Sequence, residues 1–540
     1  MLNPTLVEDT FARDRLPPED QWPDLINLDR FNYPLELNCV HELLDKAVSE
    51  GHGARPCLRS DSLNWTYEET LAQVNRIANL LVTELGLRSG ERVMLGGPNS
   101  VMMAACWLAV VKAGGVAVAT MSLLRAGELA VIADKAQARI ALCDTVVAAE
   151  YEGAVVLSDA LQQSLSFNEG DLEARAAACP DDFGAARTSA DDVCLIAFTS
   201  GTTGVPKGCI HFHREIMTIC RTICDELLRP TSDDVFIGSP PLAFTFGLGG
   251  LLLFPLYARA SAVMLEKPAP ASLASAIDRH GATLCFTAPT AYRAILQDKE
   301  QYSLASLRQT ISAGETLPRA TYDAWLEHTG LRMIDGIGAT ELLHIFISAA
   351  GDDVRPGATG KPLPGWEARV VDEQGNEVAD GEVGRLAVRG PIGCRYLDDE
   401  RQLKYVADGW NLTGDAYLRD SEGYFWFQSR ADDMIISAGY NIGGPEVEDA
   451  LLKHDAVSEA AVVASPDAER GSIVKAFVVL AAGFSGDDEL VEALQRHVKA
   501  TIAPYKYPRA VVFVDTLPKT GTGKIQRFKL REQEQRLALQ

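Results

Sequence analysis

Short and long apolar segments alternate along the first two thirds of the chain. Residues 91–96 and 116–120 are short apolar runs typical of buried strands, and residues 100–112 between them form a longer run typical of a helix. Asn99 or Ser100 would cap this helix by accepting a hydrogen bond from its first turn. Similar strand-like runs follow at residues 155–157, 193–198, 262–265 and 283–286. This alternation predicts stacked α/β layers.

The pattern changes near the C-terminal end. From about residue 367, short apolar segments are joined by turn pairs such as Gln374-Gly375, which predicts a β-rich subdomain. After Arg430 the remaining residues are typical of a compact α+β unit. Its predicted helices are residues 445–453 and 489–502, and its predicted strands are residues 460–464 and 474–480.

Composition and charge narrow the class of protein. The chain has 540 residues, of which 47% are apolar and 23% charged, as in soluble globular proteins. A net charge of −24 disfavours nucleic acid and anionic membranes as partners. The longest apolar run, residues 101–111, is shorter than the roughly 20 residues that span a bilayer, and the charged N-terminal residues do not form a signal peptide. The eleven scattered cysteines are expected to be buried reduced thiols, and the expected compartment is the cytosol.

Glycine and hydroxyl residues are concentrated in Phe198-Thr-Ser-Gly-Thr-Thr-Gly-Val-Pro-Lys-Gly208, between a predicted strand and a helical stretch from about His213. Glycines let backbone N–H groups turn toward an anion, hydroxyls add donors and a lysine adds charge. A flexible surface loop is the alternative, and the preceding strand and the Pro-Lys-Gly end favour phosphate binding. The candidate phosphate ligands are Thr199, Ser200, Gly201, Thr202, Thr203, Gly204 and Lys207.

This loop resembles the phosphate loop of the adenylate-forming superfamily, which includes acyl-CoA synthetases, luciferases and the adenylation domains of peptide synthetases. Four further segments resemble that family's motifs in its order and spacing, so that the resemblance extends from about residue 190 to 530. They are Gly336-Ile-Gly-Ala-Thr-Glu341, Trp410-Asn-Leu-Thr-Gly-Asp415, Ser429-Arg-Ala-Asp-Asp-Met-Ile-Ile-Ser-Ala-Gly-Tyr440 and Leu517-Pro-Lys-Thr-Gly-Thr-Gly-Lys524.

The resemblance implies an architecture. It predicts the α/β fold of adenylate-forming enzymes, with a large N-terminal AMP-binding domain at residues 1–431 that contains the β-rich subdomain at about 367–431. A small mobile C-terminal α+β domain would follow at residues 432–540. Asp432 would be the hinge, and Gly439 and Tyr440 would line the tunnel for the CoA arm.

The resemblance also implies nucleotide contacts. Thr340 would contact the AMP phosphate, and the carboxylate of Glu341 would hold Mg²⁺, a cation that prefers oxygen ligands. Asp415 and Arg430 would bind the ribose, and Lys524 would bridge the acid's carboxylate and the α-phosphate. The nucleotide motif also includes Gly336, Ile337 and Gly338. Ile337 stands where the family often has a tyrosine, so we expect no aromatic stacking on adenine there and expect Ile337 to shape the acid pocket as well.

Longer segments are similar to benzoate–CoA and 2-aminobenzoate–CoA ligases. These are residues 240–249, 312–315 and 335–346. The resemblance implies an acid pocket of apolar walls with one or two polar groups, which suits a small aryl acid. His344 would meet an ortho substituent of the ring or serve only as a structural cap. The pocket residues are Thr245, Phe246, Ala313, Gly314, Ile337 and His344.

We therefore expect an ATP-dependent, AMP-forming aryl acid–CoA ligase that uses ATP, Mg²⁺ and coenzyme A. The expected acid is 2-aminobenzoate or benzoate, and the expected state is a monomer or homodimer. One alternative is a stand-alone adenylation enzyme that loads a carrier protein. A second is a catalytically silent nucleotide-binding module.

Overall fold

The computed structural model describes residues 2–199, 206–298, 300–430, 433–437, 440–467, 471–502, 504–519 and 524–538. Two large sheets form most of the N-terminal part. In the described residues one sheet has nine strands, and their spatial order is Lys361–Pro362, Ile345–Ser348, Ile334–Gly338, Gln309–Ala313, Leu284–Thr287, Val235–Gly238, Ser261–Val263, Pro56–Arg59 and Asn64–Thr66.

The second large sheet has six described strands and carries the start of the phosphate loop. Four of its five described pairings are parallel, and the edge pair Val193–Thr199 and Lys207–Phe212 is antiparallel. The spatial order is Gln163–Phe167, Ile140–Asp144, Arg92–Gly96, Val116–Thr120, Val193–Thr199 and Lys207–Phe212.

The helix Val101–Lys112 is buried along its entire length. The helix carries apolar side chains on nearly all of its sides, as expected for a helix enclosed in a core. Ser100 caps it by accepting a hydrogen bond from the backbone N–H of Met103. The predicted helix and the predicted cap at Ser100 are confirmed.

Two local predictions were wrong or incomplete. Residues 155–157 end the helix Ala148–Leu157, and the side chains of Val156 and Leu157 are 84% and 61% exposed. A short apolar run does not by itself distinguish a strand from a helix end. The phosphate loop is followed by the strand Lys207–Phe212 before the predicted helix starts at His213.

The C-terminal third has the predicted β-rich and α+β character. The β-rich sheet contains Glu367–Val371, Val383–Arg389, Trp410–Arg419, Val406–Ala407 and Phe425–Arg430. The α+β unit contains a short hairpin of Ile435–Ser437 with Tyr440–Ile442 and a sheet of Val457–Asp467, Gly471–Leu480 and Ala510–Phe513. The proposed boundary at residues 431 and 432 lies outside the described residues and stays a prediction.

Helices alternate with strands along much of the described chain. The described α-helices are Phe11–Asp14, Tyr67–Thr83, Val101–Lys112, Ala126–Ala136, Ala148–Leu157, Asp171–Ala177, His213–Cys220, Thr245–Leu248, Phe254–Tyr257, Pro270–His280, Pro289–Gln297, Arg319–Thr329, Gln402–Tyr405, Gly444–Leu452, Asp488–Thr501 and Arg527–Ala538. Over the part of the chain that the structure describes, none of the helices has the length and apolar character needed to cross a membrane. All eleven cysteines are free thiols, and ten are buried.

Candidate active site

The candidate site begins at the carboxyl ends of two parallel strands. Gln309–Ala313 pairs with Ile334–Gly338, and Ala313 stands opposite Gly336. The carboxyl ends of parallel strands meet at one edge of a sheet, which is the usual ligand-binding edge of α/β folds. The short turn Thr340–Leu342 follows there and carries Thr340 and Glu341.

Glu341 is held by two side chains from the neighbouring sheet region. Its Oε1 accepts a hydrogen bond from the hydroxyl of Tyr396 at 2.5 Å and lies 3.5 Å from Nζ of Lys207. Lys207 also donates to the Tyr396 hydroxyl at 2.7 Å. In the described part of the chain these contacts use Oε1 only, which leaves Oε2 for a ligand. A buried carboxylate with one available oxygen fits a Mg²⁺ ligand.

The phosphate loop is described only at its two ends. Thr199 stands opposite Lys207 in the hairpin, and the Oγ1 of Thr199 is buried and has no hydrogen-bond partner in the described part of the chain. A buried hydroxyl of this kind usually has a partner, so a bound ligand would satisfy it. Residues 200–205, which include the candidates Ser200, Gly201, Thr202, Thr203 and Gly204, lie outside the described residues.

Asp415 and Arg430 are cross-strand neighbours in the β-rich sheet. The guanidinium of Arg430 donates to Oδ1 of Asp415 at 2.9 Å. Burial raises the pKa of Asp415, Arg430 opposes this shift, and the charge of nearby Glu341 adds to it. The structure therefore brings the predicted ribose pair close to the predicted metal ligand.

Lys524 reaches this site from the C-terminal α+β unit. Its Nζ lies 3.3 Å from the position that a Cβ atom on Gly314 would occupy. Gly314 has φ +86°, a conformation that other residues rarely adopt. Desolvation of the ammonium lowers the pKa of Lys524, the carboxylate of Glu315 opposes the shift, and the cation Arg430 adds to it. Lys524, the last residue of the C-terminal motif, therefore lies at the same strand edge as Ala313.

Aromatic side chains form the candidate acid pocket. The rings of Phe246 and His344 have centroids 5.8 Å apart, and Phe254 packs edge-on against His344 at 4.7 Å. Phe286 lies 5.7 Å from Phe246. A Cβ atom on Gly249 would approach His344 to 2.6 Å, so a glycine is needed for this close packing. Thr245 begins the short helix that carries Phe246.

His344 is buried and uncharged. Burial lowers the pKa of His344 to about 3, and the nearby backbone of Phe246 weakly opposes the shift. Neither ring nitrogen has a partner at hydrogen-bond geometry within the described residues. A neutral imidazole with unused nitrogens can donate to, or accept from, one polar substituent on a bound ring.

The remaining predicted site residues lie on strands or outside the described residues. Ile337 is half-buried on the strand Ile334–Gly338, and Ala313 is buried. Asp432 and Gly439 lie outside the described residues, so their hinge and tunnel roles stay predictions. Tyr440 begins the strand Tyr440–Ile442, and its backbone pairs with that of Ser437.

The sequence motifs missed several site residues. Tyr396 contacts the candidate metal ligand, and the buried rings of Phe254 and Phe286 pack against His344 and Phe246. His211 contacts the backbone of Thr340. None of these residues belongs to one of the family motifs. Only His211 could have been noticed in the sequence, because it is a polar residue inside an apolar strand-like run.

Comparison with known families decides the assignment. The AMP-binding enzyme family matches residues 44–395, and the AMP-binding enzyme C-terminal domain matches residues 446–524. The chain belongs to the AMP-binding enzyme family. The predicted superfamily and fold are therefore confirmed.

Individual relatives of this AMP-binding enzyme are ligases. Benzoate–CoA ligase of Thauera aromatica is 36% identical over 92% of this chain and 96% of its own length. The anthranilate CoA ligase AuaEII, solved with anthranoyl-AMP, is 34% identical, with a TM-score of 0.90 and coverage of 94% and 99% of the two chains. A benzoate CoA ligase from Burkholderia xenovorans LB400 is 32% identical, with a TM-score of 0.85 and coverage of 92% and 100%.

These matches place this AMP-binding enzyme among the AMP-forming acid–thiol ligases. The predicted resemblance to the subgroup of benzoate–CoA and 2-aminobenzoate–CoA ligases is confirmed.

Proposed function

We propose that this enzyme activates a small aromatic carboxylic acid, 2-aminobenzoate or benzoate, with ATP and transfers the acyl group to coenzyme A. The observation that carries the proposal is the position of Lys524 Nζ beside Gly314, next to Ala313 of the candidate acid pocket. A cation is needed where two anions, the acid's carboxylate and the α-phosphate, must meet.

In the first step the carboxylate oxygen attacks the α-phosphorus of ATP. The bond between the α-phosphorus and the bridging oxygen breaks, and pyrophosphate leaves with the electron pair. Lys524 and Lys207 offset the charge on the carboxylate and the phosphates, and Thr340 contacts the α-phosphate. Asp415 and Arg430 hold the ribose. Mg²⁺ held by Glu341 would screen the phosphate charge.

In the second step the thiolate of coenzyme A attacks the carbonyl carbon of the aryl-AMP. AMP leaves and the thioester forms. Lys524 is then no longer needed, and we propose that the C-terminal unit rotates at Asp432 to admit the CoA arm past Gly439 and Tyr440. Conformational steps of this kind gate many enzymes.

The candidate pocket supports an aryl acid. Phe246, Phe254 and Phe286 provide apolar ring walls, and a neutral His344 adds one polar group without a charge. His344 contacts an ortho amino group in the case of 2-aminobenzoate and caps the pocket in the case of benzoate. We further propose that the enzyme acts in the cytoplasm as a monomer or homodimer, without nucleic acid or membrane partners.

The test is CoA-dependent AMP formation with benzoate, 2-aminobenzoate, 2-hydroxybenzoate, 4-coumarate and octanoate. We expect one of the small benzoates to exceed coumarate and octanoate by tenfold or more in kcat/KM, which is about 1.4 kcal/mol. A preference for octanoate or coumarate would contradict the aryl pocket.

The same assay separates the two alternatives. Adenylate formation with AMP release that ignores CoA would support the loading of a carrier protein. ATP binding without acid-dependent pyrophosphate release would support a silent nucleotide-binding module.

A further inference from the structure

A buried chain of polar contacts lies beneath the turn that carries Thr340 and Glu341. The Nε2 of His211 lies 2.8 Å from the carbonyl oxygen of Thr340. The Nδ1 of His211 lies 3.1 Å from Oε2 of Glu215. Arg395 donates to Oε1 of Glu215 at 2.9 and 2.5 Å. All three side chains are essentially inaccessible to solvent.

The partners determine how His211 bonds. A carbonyl oxygen only accepts hydrogen bonds, so Nε2 of His211 is the donor to Thr340. The carboxylate of Glu215 accepts two N–H groups of Arg395 at Oε1. Because a carboxylate only accepts, Nδ1 of His211 donates to its Oε2, and this contact orients the other side of the imidazole ring. The second contact fixes the ring plane and therefore the direction in which Nε2 donates.

Two adjacent segments supply the described side chains that contact Thr340 and Glu341. His211 and Lys207 both belong to the strand Lys207–Phe212. The backbone N–H of Ile210 donates to the carbonyl of Arg395 at 2.8 Å, which ties this strand to the segment that carries Tyr396. Tyr396 and Lys207 contact the carboxylate of Glu341, while His211 contacts the peptide immediately before it.

We propose that His211, oriented by Glu215 and Arg395, is a positioning residue that fixes the Thr340–Glu341 peptide and so sets the place of the Glu341 carboxylate. The proposal rests on the proposed function, in which Glu341 holds the metal of MgATP. Without the bond to its carbonyl, the peptide can rotate, and Glu341 then moves relative to Lys207. A displacement of about 1 Å at such a site costs on the order of 10²-fold in rate.

Two substitutions separate the contacts of the ring. His211→Gln places an amide N–H near the position of Nε2 and keeps a donor for Thr340. His211→Asn is shorter, places its amide near Nδ1 and loses the bond to Thr340. Both variants put a neutral amide in the same buried place, so they control for packing, and His211→Ala is a second variant without the donor.

The first readout is the Mg²⁺ concentration that gives half-maximal acid-dependent ATP–pyrophosphate exchange. We expect His211→Asn to raise it at least fivefold and to lower the exchange rate at least tenfold. We expect His211→Gln to stay within threefold of wild type. Thioester formation from supplied aryl-AMP should change less than threefold in both variants.

The second readout needs no turnover. It is the rise in Tm that MgATP causes, compared with ATP plus chelator, and we expect His211→Asn to lose the Mg²⁺-dependent part while His211→Gln keeps it. Equal Mg²⁺ dependence in the Asn, Ala and Gln variants would overturn the proposal, because a purely structural residue would lower Tm without changing that dependence. A wild-type protein that binds MgATP but exchanges no pyrophosphate would contradict the proposed function instead, and the Tm comparison would still decide the role of His211.

Discussion

Lys524 has an exposed side chain, yet its ammonium group lies where surrounding protein atoms lower its pKa. The motif containing Lys524 is glycine-rich, and glycine permits backbone conformations that bring a side chain to a distant surface. The contact with Gly314 links the C-terminal unit to the strand edge that carries the rest of the site. At the residue scale, the proposed adenylation step therefore depends on one cation supplied from a separate structural unit.

We expect Lys524→Ala to slow adenylate formation by ~10²-fold or more, which is the usual effect of removing one charge-stabilising group. Acid-dependent pyrophosphate release measures this step. Thioester formation from supplied aryl-AMP should be largely retained. Lys529→Ala, on an exposed face of the helix Arg527–Ala538, is the matched control and should leave both steps unchanged. Equal losses in both steps would contradict a role confined to adenylation.

The pH dependence of folding stability is a second test at this scale, because His344 is buried in its neutral form. Its pKa is about 3 in the folded protein, against about 6.5 in an unfolded chain. Between these values the unfolded state binds more protons, so stability falls as the pH is lowered from about 6.5 toward 3. Replacing His344 by leucine removes this contribution, which reaches about 1.4 kcal/mol for each pH unit below 6.5.

The measurement is the unfolding midpoint of wild type and His344→Leu at several pH values between 5 and 8. We expect the unfolding midpoint of the variant to fall less steeply than that of wild type as the pH is lowered. His328→Gln changes an exposed histidine and should leave the wild-type slope. The same slope in wild type and His344→Leu would show that His344 is not held neutral.

At the element scale, the helix that carries the candidate acid-pocket residues Thr245 and Phe246 changes its type. The short helix Thr245–Leu248 continues as the wider π-helical turn Gly249–Leu253, a form that often occurs at functional sites. The glycines in Gly247-Leu-Gly-Gly250 do not have the spacing of a dinucleotide fingerprint. The structure gives two of them another use, because Gly249 faces His344 and Gly250 faces Phe286.

Gly250→Ala would place a Cβ atom 2.5 Å from the ring of Phe286, so the ring or the helical turn must move. We expect a stability loss of about 1–3 kcal/mol, typical of overpacking, and a higher KM for the aromatic acid with little change for ATP. Steady-state kinetics and unfolding measure both effects. Gly127→Ala, on the helix Ala126–Ala136 with open space around it, should be neutral or slightly stabilising. An unchanged KM for the acid would exclude this helix from the pocket.

At the scale of the whole molecule, polar contacts between described residues help to hold the C-terminal unit in the orientation that brings Lys524 to Gly314. Arg293 donates to the carbonyl oxygen of Val457 at 3.3 Å, and the backbone N–H of Ala320 donates to Asp449 at 3.3 Å. In the proposed mechanism this interface opens between the two steps, and weak contacts such as these suit it because strong contacts would slow the rotation.

Arg293→Ala should therefore weaken adenylation more than thioester formation. The loss of one hydrogen bond from a charged donor is worth roughly 1.5 kcal/mol, so we expect about a tenfold slower pyrophosphate release. Thioester formation from aryl-AMP should be retained or increased. Arg279→Ala, a half-exposed residue on the helix Pro270–His280, is the control. Equal slowing of both steps would indicate general damage to the enzyme.

The local sequence by itself determined most of the elements and the family. Glycines, hydroxyls and a lysine after an apolar strand predicted an anion-binding loop, and the motifs around Glu341, Asp415 and Lys524 predicted the family that the comparisons confirm. Ser100 and the buried helix after it were also predictable, because capping and helical spacing depend on residues close in the chain.

Tertiary structure alone decided which distant residues meet. Residues 155–157 end a helix, although a three-residue apolar run does not by itself distinguish a helix from a strand. Tyr396 reached Glu341, and His211 reached Thr340, because an antiparallel edge strand joined segments far apart in the sequence. Local patterns record the backbone preferences of nearby residues, while such pairings depend on strand register and sheet order, which no single segment specifies.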